Sequence, residues 1–250
     1  MQFISEVSEM GVTERGFVLQ VNGERVPGIV WAPKGAKGPR PVVLMGHGGT
    51  QHKRTEGILA RARAMARHYA YATVAIDAPG HGDRVTPEQA AAARQARAGG
   101  GAGMTAERFS EMAARNAKAV AEWKAALDAV EGLDFVGKGP VGYWGVSMGT
   151  AMGVPFLAEE ARVQAAVLGL AGIHTEEFAA AARRITIPLM FMCQWNDEIA
   201  PREASLALYD EIASKEKSMH ANPGGHMGIP PFEREQWEQF YLRHLGPATA

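Results

Sequence analysis

The chain has 250 residues, 46% of them hydrophobic, enough for one sizeable α/β core. Its 26 Lys and Arg against 27 Asp and Glu leave a net charge of −1, which provides no electrostatic footprint for nucleic acid. No apolar run is long enough to span a bilayer, and the N-terminal Met1-Gln2-Phe3-Ile4-Ser5-Glu6 lacks a basic segment and a long apolar core, so neither a membrane partner nor export is expected. Cys193 is the only cysteine, which excludes an internal disulfide and suits a cytoplasmic location. It ends an apolar run and reads as a small buried side chain.

In chain order, Phe17 to Val21 and Val26 to Trp31 flank Asn22-Gly23, a dipeptide suited to positive φ, so the chain is expected to open with a β-hairpin. β-rich runs follow at Val42 to Met45, Thr73 to Ile76, Val141 to Trp144, Ala165 to Leu170, Leu189 to Cys193 and Ser218 to Ala221. Between them lie helical segments at about Gly57 to Tyr69, Phe109 to Glu131, Thr150 to Glu160, Glu176 to Arg184, Pro201 to Ala213 and Pro231 to His244. Alternation of continuous apolar strands with helices predicts an α/β fold: a mostly parallel central sheet with helices on both faces, in one domain over residues 1–250. Ligands in such sheets bind beyond the carboxyl ends of the strands.

One segment breaks the rhythm. About 26 residues separate the turn Pro79-Gly80-His81-Gly82 from the helix near Phe109, including the Ala-rich Ala90 to Ala93 and the run Gly99-Gly100-Gly101-Ala102-Gly103. A compact α/β unit needs only a few residues there, so residues 84–105 are expected to form a lid insertion with a glycine hinge, the alternative being a solvated linker.

Four motifs follow successive strands. His47-Gly48-Gly49-Thr50 comes after the first parallel run and Gly145-Val146-Ser147-Met148-Gly149 after the third. Asp197 lies in Gln194-Trp195-Asn196-Asp197-Glu198, and His226 in Pro223-Gly224-Gly225-His226-Met227. The pentapeptide fits G-x-S-x-G between a strand and a helix, the context of a nucleophile elbow. The order Ser, Asp, His is that of the α/β-hydrolases, and from about Pro41 to His244 the chain resembles that superfamily, closest in pattern to small serine esterases of the dienelactone hydrolase-like group. Dienelactone hydrolases proper use a cysteine where this chain has Ser147, so lactone substrates are not implied.

The resemblance implies a serine hydrolase acting on a carboxylic ester. A serine hydroxyl is almost un-ionised at neutral pH and needs a base to take its proton, a role that falls to His226. A carboxylate on the other ring nitrogen fixes the tautomer; Asp197 is assigned, with Glu198, Glu176 and Glu177 as competitors. The oxyanion is expected to meet the backbone N–H groups of Met148 and Gly49, with Thr50 as substitute. Trp195, Met227, Ile173 and Thr50, next to motif residues, are the candidate substrate contacts.

His47 and His81 sit in turns and read as structural, while His174 reads at most as a pocket wall. The basic trio His52-Lys53-Arg54, directly after the oxyanion loop, either attracts an acidic substrate group or is a solvated helix start. No cofactor and no metal are implied, since no His, Cys and carboxylate set has ligand spacing and there is no P-loop. The same triad could serve an amide, thioester or C–C bond, or acyl transfer, and a non-catalytic binding protein of this fold is the rival from another class.

Overall fold

The computed structural model describes residues 1–98 and 106–248. Three strands open the chain: β1 (Gln2–Glu9), β2 (Val12–Val21) and β3 (Glu24–Pro33), each antiparallel to the next. The expected hairpin is β2–β3, and Asn22 and Gly23 both take positive φ, 50° and 80°, as a tight two-residue turn requires. The preceding strand β1 was not foreseen. Its turn, Met10-Gly11, has the same geometry with φ of 48° and 79°, but methionine at the first position carries no turn signal.

The remaining elements follow in order: β4 (Val42–Gly46), α1 (Glu56–Tyr69), β5 (Ala72–Ile76), α2 (Pro87–Ala98), α3 (Ala106–Glu131), β6 (Val141–Gly145), α4 (Met148–Leu157), β7 (Val163–Gly169), α5 (Glu176–Ala182), β8 (Leu189–Gln194), α6 (Arg202–Glu211), β9 (Lys217–Asn222) and α7 (Glu233–Leu245). One sheet of nine strands results, in the order β1-β2-β3-β5-β4-β6-β7-β8-β9. It is antiparallel as far as the β3–β5 pair and parallel from β5 to β9.

Side chains alternate across each strand, so both faces of the inner strands are apolar and both are covered. Val42 and Leu44 of β4 pack with Trp123 of α3 and Phe156 of α4, in the layer that also holds Phe178 of α5 and Leu208 of α6. Val43 and Met45 point the other way, against Ile58 and Met65 of α1 and Trp237 and Phe240 of α7. Among the described residues no helix is long and apolar enough to cross a membrane.

The insertion expected at residues 84–105 is part helix. A short 3-10 turn (Gly82–Arg84) leads into α2, whose start is a capping box: the Gln89 N–H donates to Thr86 Oγ1 at 3.3 Å, and the Thr86 N–H donates to Gln89 Oε1 at 2.8 Å. With Pro87 in the first turn and the alanines after it, the segment carries a helix-start signal that its reading as a lid or linker overlooked. The proposed hinge, Gly99 to Gly103, lies outside the described residues.

Candidate active site

Ser147 stands between the end of β6 and the start of α4 with φ 58° and ψ −121°, a backbone conformation that a residue with a Cβ occupies only under constraint. The constraint is visible on every side. The Ser147 N–H donates to Gly169 O of β7 at 2.9 Å. The buried Thr150 hydroxyl lies 2.8 Å from Gly145 O and 2.7 Å from Gly169 O, and accepts from the Gly169 N–H at 2.8 Å. The flanking glycines are there for space: a Cβ on Gly149 would fall 2.6 Å from Gly46 O, and one on Gly145 would fall 2.8 Å from the Gly149 carbonyl carbon and oxygen. The helix therefore sits directly on β4 and β6, and the serine side chain is turned out of the sheet edge.

The His226 ring reaches Ser147 from the loop after β9. Its Nε2 lies 2.9 Å from Ser147 Oγ, and its Nδ1 lies 2.9 Å and 2.8 Å from the two carboxylate oxygens of Asp197. A carboxylate only accepts, so Nδ1 carries the proton and Nε2 is left as acceptor for the serine hydroxyl. Asp197 is held in turn by the N–H groups of Ile199 and Ala200, both 2.8 Å from its Oδ1. The imidazole and carboxylate side chains are almost wholly buried, at 4% and 0% exposure, so bulk water does not compete for the pair.

The competing carboxylates go elsewhere. Glu198 Oε2 accepts from the backbone N–H of His226 at 3.0 Å, which holds its carboxyl below the usual range and secures the histidine loop, not the ring. Glu176 pairs with Arg183 at 2.8 Å, and Glu177 lies in the first turn of α5 without contact to His226.

The loop after β4 carries the expected oxyanion donors. Among the described residues, neither the Gly49 nor the Met148 N–H has a protein acceptor, while Thr50 sits at φ 61° with its hydroxyl donating to Gly49 O at 2.6 Å. This loop is pinned from beneath. His47 accepts from the Ala78 N–H through Nε2 at 3.0 Å and donates from Nδ1 to Gly48 O at 2.9 Å, and burial lowers its pKa to about 4, so it stays neutral.

The basic trio is not available to a substrate in the way that its position suggested. Lys53 is buried, with Nζ 2.7 Å from both Asp77 and Asp83, and Arg54 pairs with Glu14 at 2.8 Å. His52 is exposed, and its Nδ1 accepts the Arg54 N–H at 3.2 Å. Lys53 thus ties the loop after β4 to the loop after β5. Asp77, fully buried, also accepts the N–H groups of Lys53 and Asp83, both at 2.9 Å. Cys193 is buried as expected, which pushes its thiol pKa up.

Two cavities meet at Ser147. One, of about 580 Å³, is walled by Gly48 to Gln51, the first turn of α1, Arg61, His226 and Met227. The other, of about 510 Å³, is walled by Met148, Leu170 to His174, Ile199, Ala93 and Arg115, and shares Thr50 with the first. Thr50, Ile173 and Met227 line these cavities, Met227 as an exposed rim. Trp195 does not: it lies on the surface beneath the Arg202 guanidinium, 4.9 Å from the ring centroid, and lines neither cavity. Adjacency to Asp197 in sequence misled here, since neighbouring residues in a turn point in different directions. Arg61, Arg115, Asp77 and Thr150 were missed, because each is distant in sequence from a motif or reads as an ordinary helix or strand-end residue. Among the described residues, no group of three or more His, Cys, Asp or Glu side chains is placed to hold a metal ion.

A parallel sheet carrying a serine elbow after its third parallel strand in sequence, with aspartate and histidine on later loops of the same edge, defines the class. The chain belongs to the α/β-hydrolase superfamily. It is 33% identical to a cold-adapted esterase from an Arctic intertidal metagenomic library, over 98% of this chain and 100% of that one, with a TM-score of 0.82. An acetyl xylan esterase from Paenibacillus sp. R4 (17% identity, 98% and 88% covered, TM-score 0.74) and an esterase of Pyrococcus furiosus (15%, 93% and 93%, 0.68) share the fold. No protein-family model and no curated protein matches the chain.

The Lys53–Asp77–Asp83 cluster yields a stability prediction. Asp77→Ala leaves the Lys53 ammonium buried beside one exposed carboxylate, and should destabilise the fold by about 3–5 kcal/mol. Urea denaturation followed by circular dichroism measures this; a loss below about 1 kcal/mol would mean that the cluster does not hold the loops.

Proposed function

We propose that the protein is a serine hydrolase that cleaves a carboxylic ester of a small or medium-sized substrate through an acyl-enzyme. The observation that carries this reading is the unbroken hydrogen-bonded chain from Ser147 Oγ through His226 to a buried Asp197. The 33% identical relative being an esterase supports an ester over other acyl bonds.

Each step uses a group already in position. Ser147 Oγ attacks the ester carbonyl while its proton passes to His226 Nε2, and Asp197 stabilises the imidazolium without taking the proton. The carbonyl oxygen becomes an oxyanion facing the N–H groups of Met148 and Gly49 at the positive end of the α4 dipole. The tetrahedral intermediate collapses as His226 returns the proton to the leaving alcohol, and water then repeats the sequence to release the acid. Removing one oxyanion donor in comparable sites costs about 3–4 kcal/mol of transition-state stabilisation.

The leaving oxygen must lie within reach of His226 Nε2. His226 lines the 580 Å³ cavity and not the 510 Å³ one, so the alcohol belongs in the former and the acyl chain in the latter. The acyl-side cavity shares Met112 and His174 with an apolar groove of about 380 Å³ along α3, which leaves room for an acyl chain of medium length. Helix α2 contributes Ala93 to the acyl-side wall.

Ser147→Ala and His226→Ala should each lower kcat on p-nitrophenyl acetate by about 10⁴-fold or more with the fold intact, and Asp197→Asn should also be severe because an amide can hold the imidazole in the wrong tautomer. A mild Asp197→Asn beside a severe Glu198→Gln would reassign the carboxylate, and near wild-type turnover in His226→Ala would remove the histidine base.

Ala93→Trp should narrow the acyl-side cavity and shift p-nitrophenyl ester preference toward short acyl chains, with kcat/KM for octanoate falling at least tenfold more than for acetate. An unchanged chain-length profile would show that α2 does not wall the acyl site.

A further inference from the structure

Arg61 is a cation without a counterion beside the nucleophile. It lies one helical turn into α1 with its guanidinium carbon 4.2 Å from the Trp144 ring centroid and 4.7 Å from that of Trp237. Its Nε is buried without a hydrogen-bond partner, and among the described residues no carboxylate pairs with the side chain. The charge that registers on it is Arg234, also positive. Burial lowers its pKa to about 10, so it is still a cation at neutral pH. Stacking on two indoles recovers part of the lost solvation, but it leaves the fork of N–H donors unused.

Two further features favour an anion at the same place. The first turn of α1, Glu56 to Ile58, lines the same cavity, and Thr55 at its head makes no side-chain cap, so the helix end presents open N–H groups and a partial positive charge. Gly57 keeps the approach clear: a Cβ there would fall 2.8 Å from Arg61 Nη1. Glu56, exposed, also borders the cavity and offsets part of this charge, which suits a monoanion over a dianionic phosphate.

We propose that Arg61 and the open first turn of α1 form a carboxylate subsite in the leaving-group cavity, so that the preferred substrates are esters whose alcohol portion carries a carboxylate. This rests on the serine-hydrolase reading, which puts the leaving oxygen on the His226 side. The planar guanidinium matches a carboxylate bidentately, and a partly buried charge without a protein counterion gains more from such a contact than a fully solvated one.

The test compares three acetate esters of matched phenol acidity with purified wild-type protein: 4-(carboxymethyl)phenyl, 4-(carbamoylmethyl)phenyl and 4-(aminomethyl)phenyl acetate. The carboxylate should exceed the amide by about tenfold in kcat/KM, mostly through KM, and the amine should be poorest. In Arg61→Met the carboxylate-to-amide ratio should fall to about one, whereas Arg61→Lys should retain part of it. As a check that needs no variant, 4-hydroxyphenylacetate should inhibit wild-type turnover competitively at lower concentration than its amide. A wild-type ratio near one, or a ratio that survives in Arg61→Met, overturns the subsite while leaving the esterase reading intact. Failure to cleave all three esters and p-nitrophenyl acetate overturns the esterase reading itself.

Discussion

The site depends on a single backbone constraint, the positive φ of Ser147. A non-glycine residue held there costs about 1–3 kcal/mol, and the fold must supply that from its surroundings. It does so by over-determining the turn: β7 accepts the serine N–H, Thr150 fastens both Gly145 and Gly169, and the Tyr143 hydroxyl donates to Gly149 O at 2.7 Å. Close contact between α4 and the sheet is possible only because residues 46, 145 and 149 have no side chain. The result is that one hydroxyl projects from the sheet edge on a rigid support, with the N-terminus of α4 directly behind it.

The loops around this hydroxyl are held by a different device, polar side chains bonded to charged and backbone groups: Asp77 and His47 are buried, Glu198 is exposed. Asp77 gathers Lys53 and two backbone N–H groups, His47 bridges Ala78 and Gly48, and Glu198 fastens the backbone of His226. Such groups contribute little net stability relative to apolar packing, but they penalise any rearrangement that would leave one unpaired. That is the property the loop after β4 needs if, as proposed, its N–H groups are to receive an oxyanion. Among the described residues Arg61 Nε is one of several buried side-chain atoms without a hydrogen-bond partner, Arg115 Nε and Trp144 Nε1 being others near the two cavities.

Much of this was legible in the sequence, for identifiable reasons. The parallel strands apart from the polar β9 are short apolar runs bounded by turn residues, and Ser147, Asp197 and His226 each follow a strand, so order and spacing placed them on one edge. The Asn22-Gly23 turn announced its hairpin by chemistry. What escaped has equally physical causes. β1 is exposed along its whole length, so burial imposes no pattern on it, and its turn begins with Met10. The α2 capping box, Thr86 to Gln89, was overlooked because the length of the excursion and its glycine run drew the reading toward a lid. Lys53 was read as a surface charge because its partners, Asp77 and Asp83, are 24 and 30 residues away and meet it only through the β4–β5 pairing. Arg61 carried no signal at all, since an arginine in an amphipathic helix is ordinarily solvated.

The account stands on Ser147 being the one activated nucleophile. The most direct measurement is treatment of the native protein with a fluorophosphonate, followed by intact mass and peptide mapping. The account predicts a single adduct on the peptide containing Ser147, formed in step with loss of ester hydrolysis and absent from His226→Ala on the same time scale. Labelling at another residue, or full loss of activity without an adduct on Ser147, would contradict it.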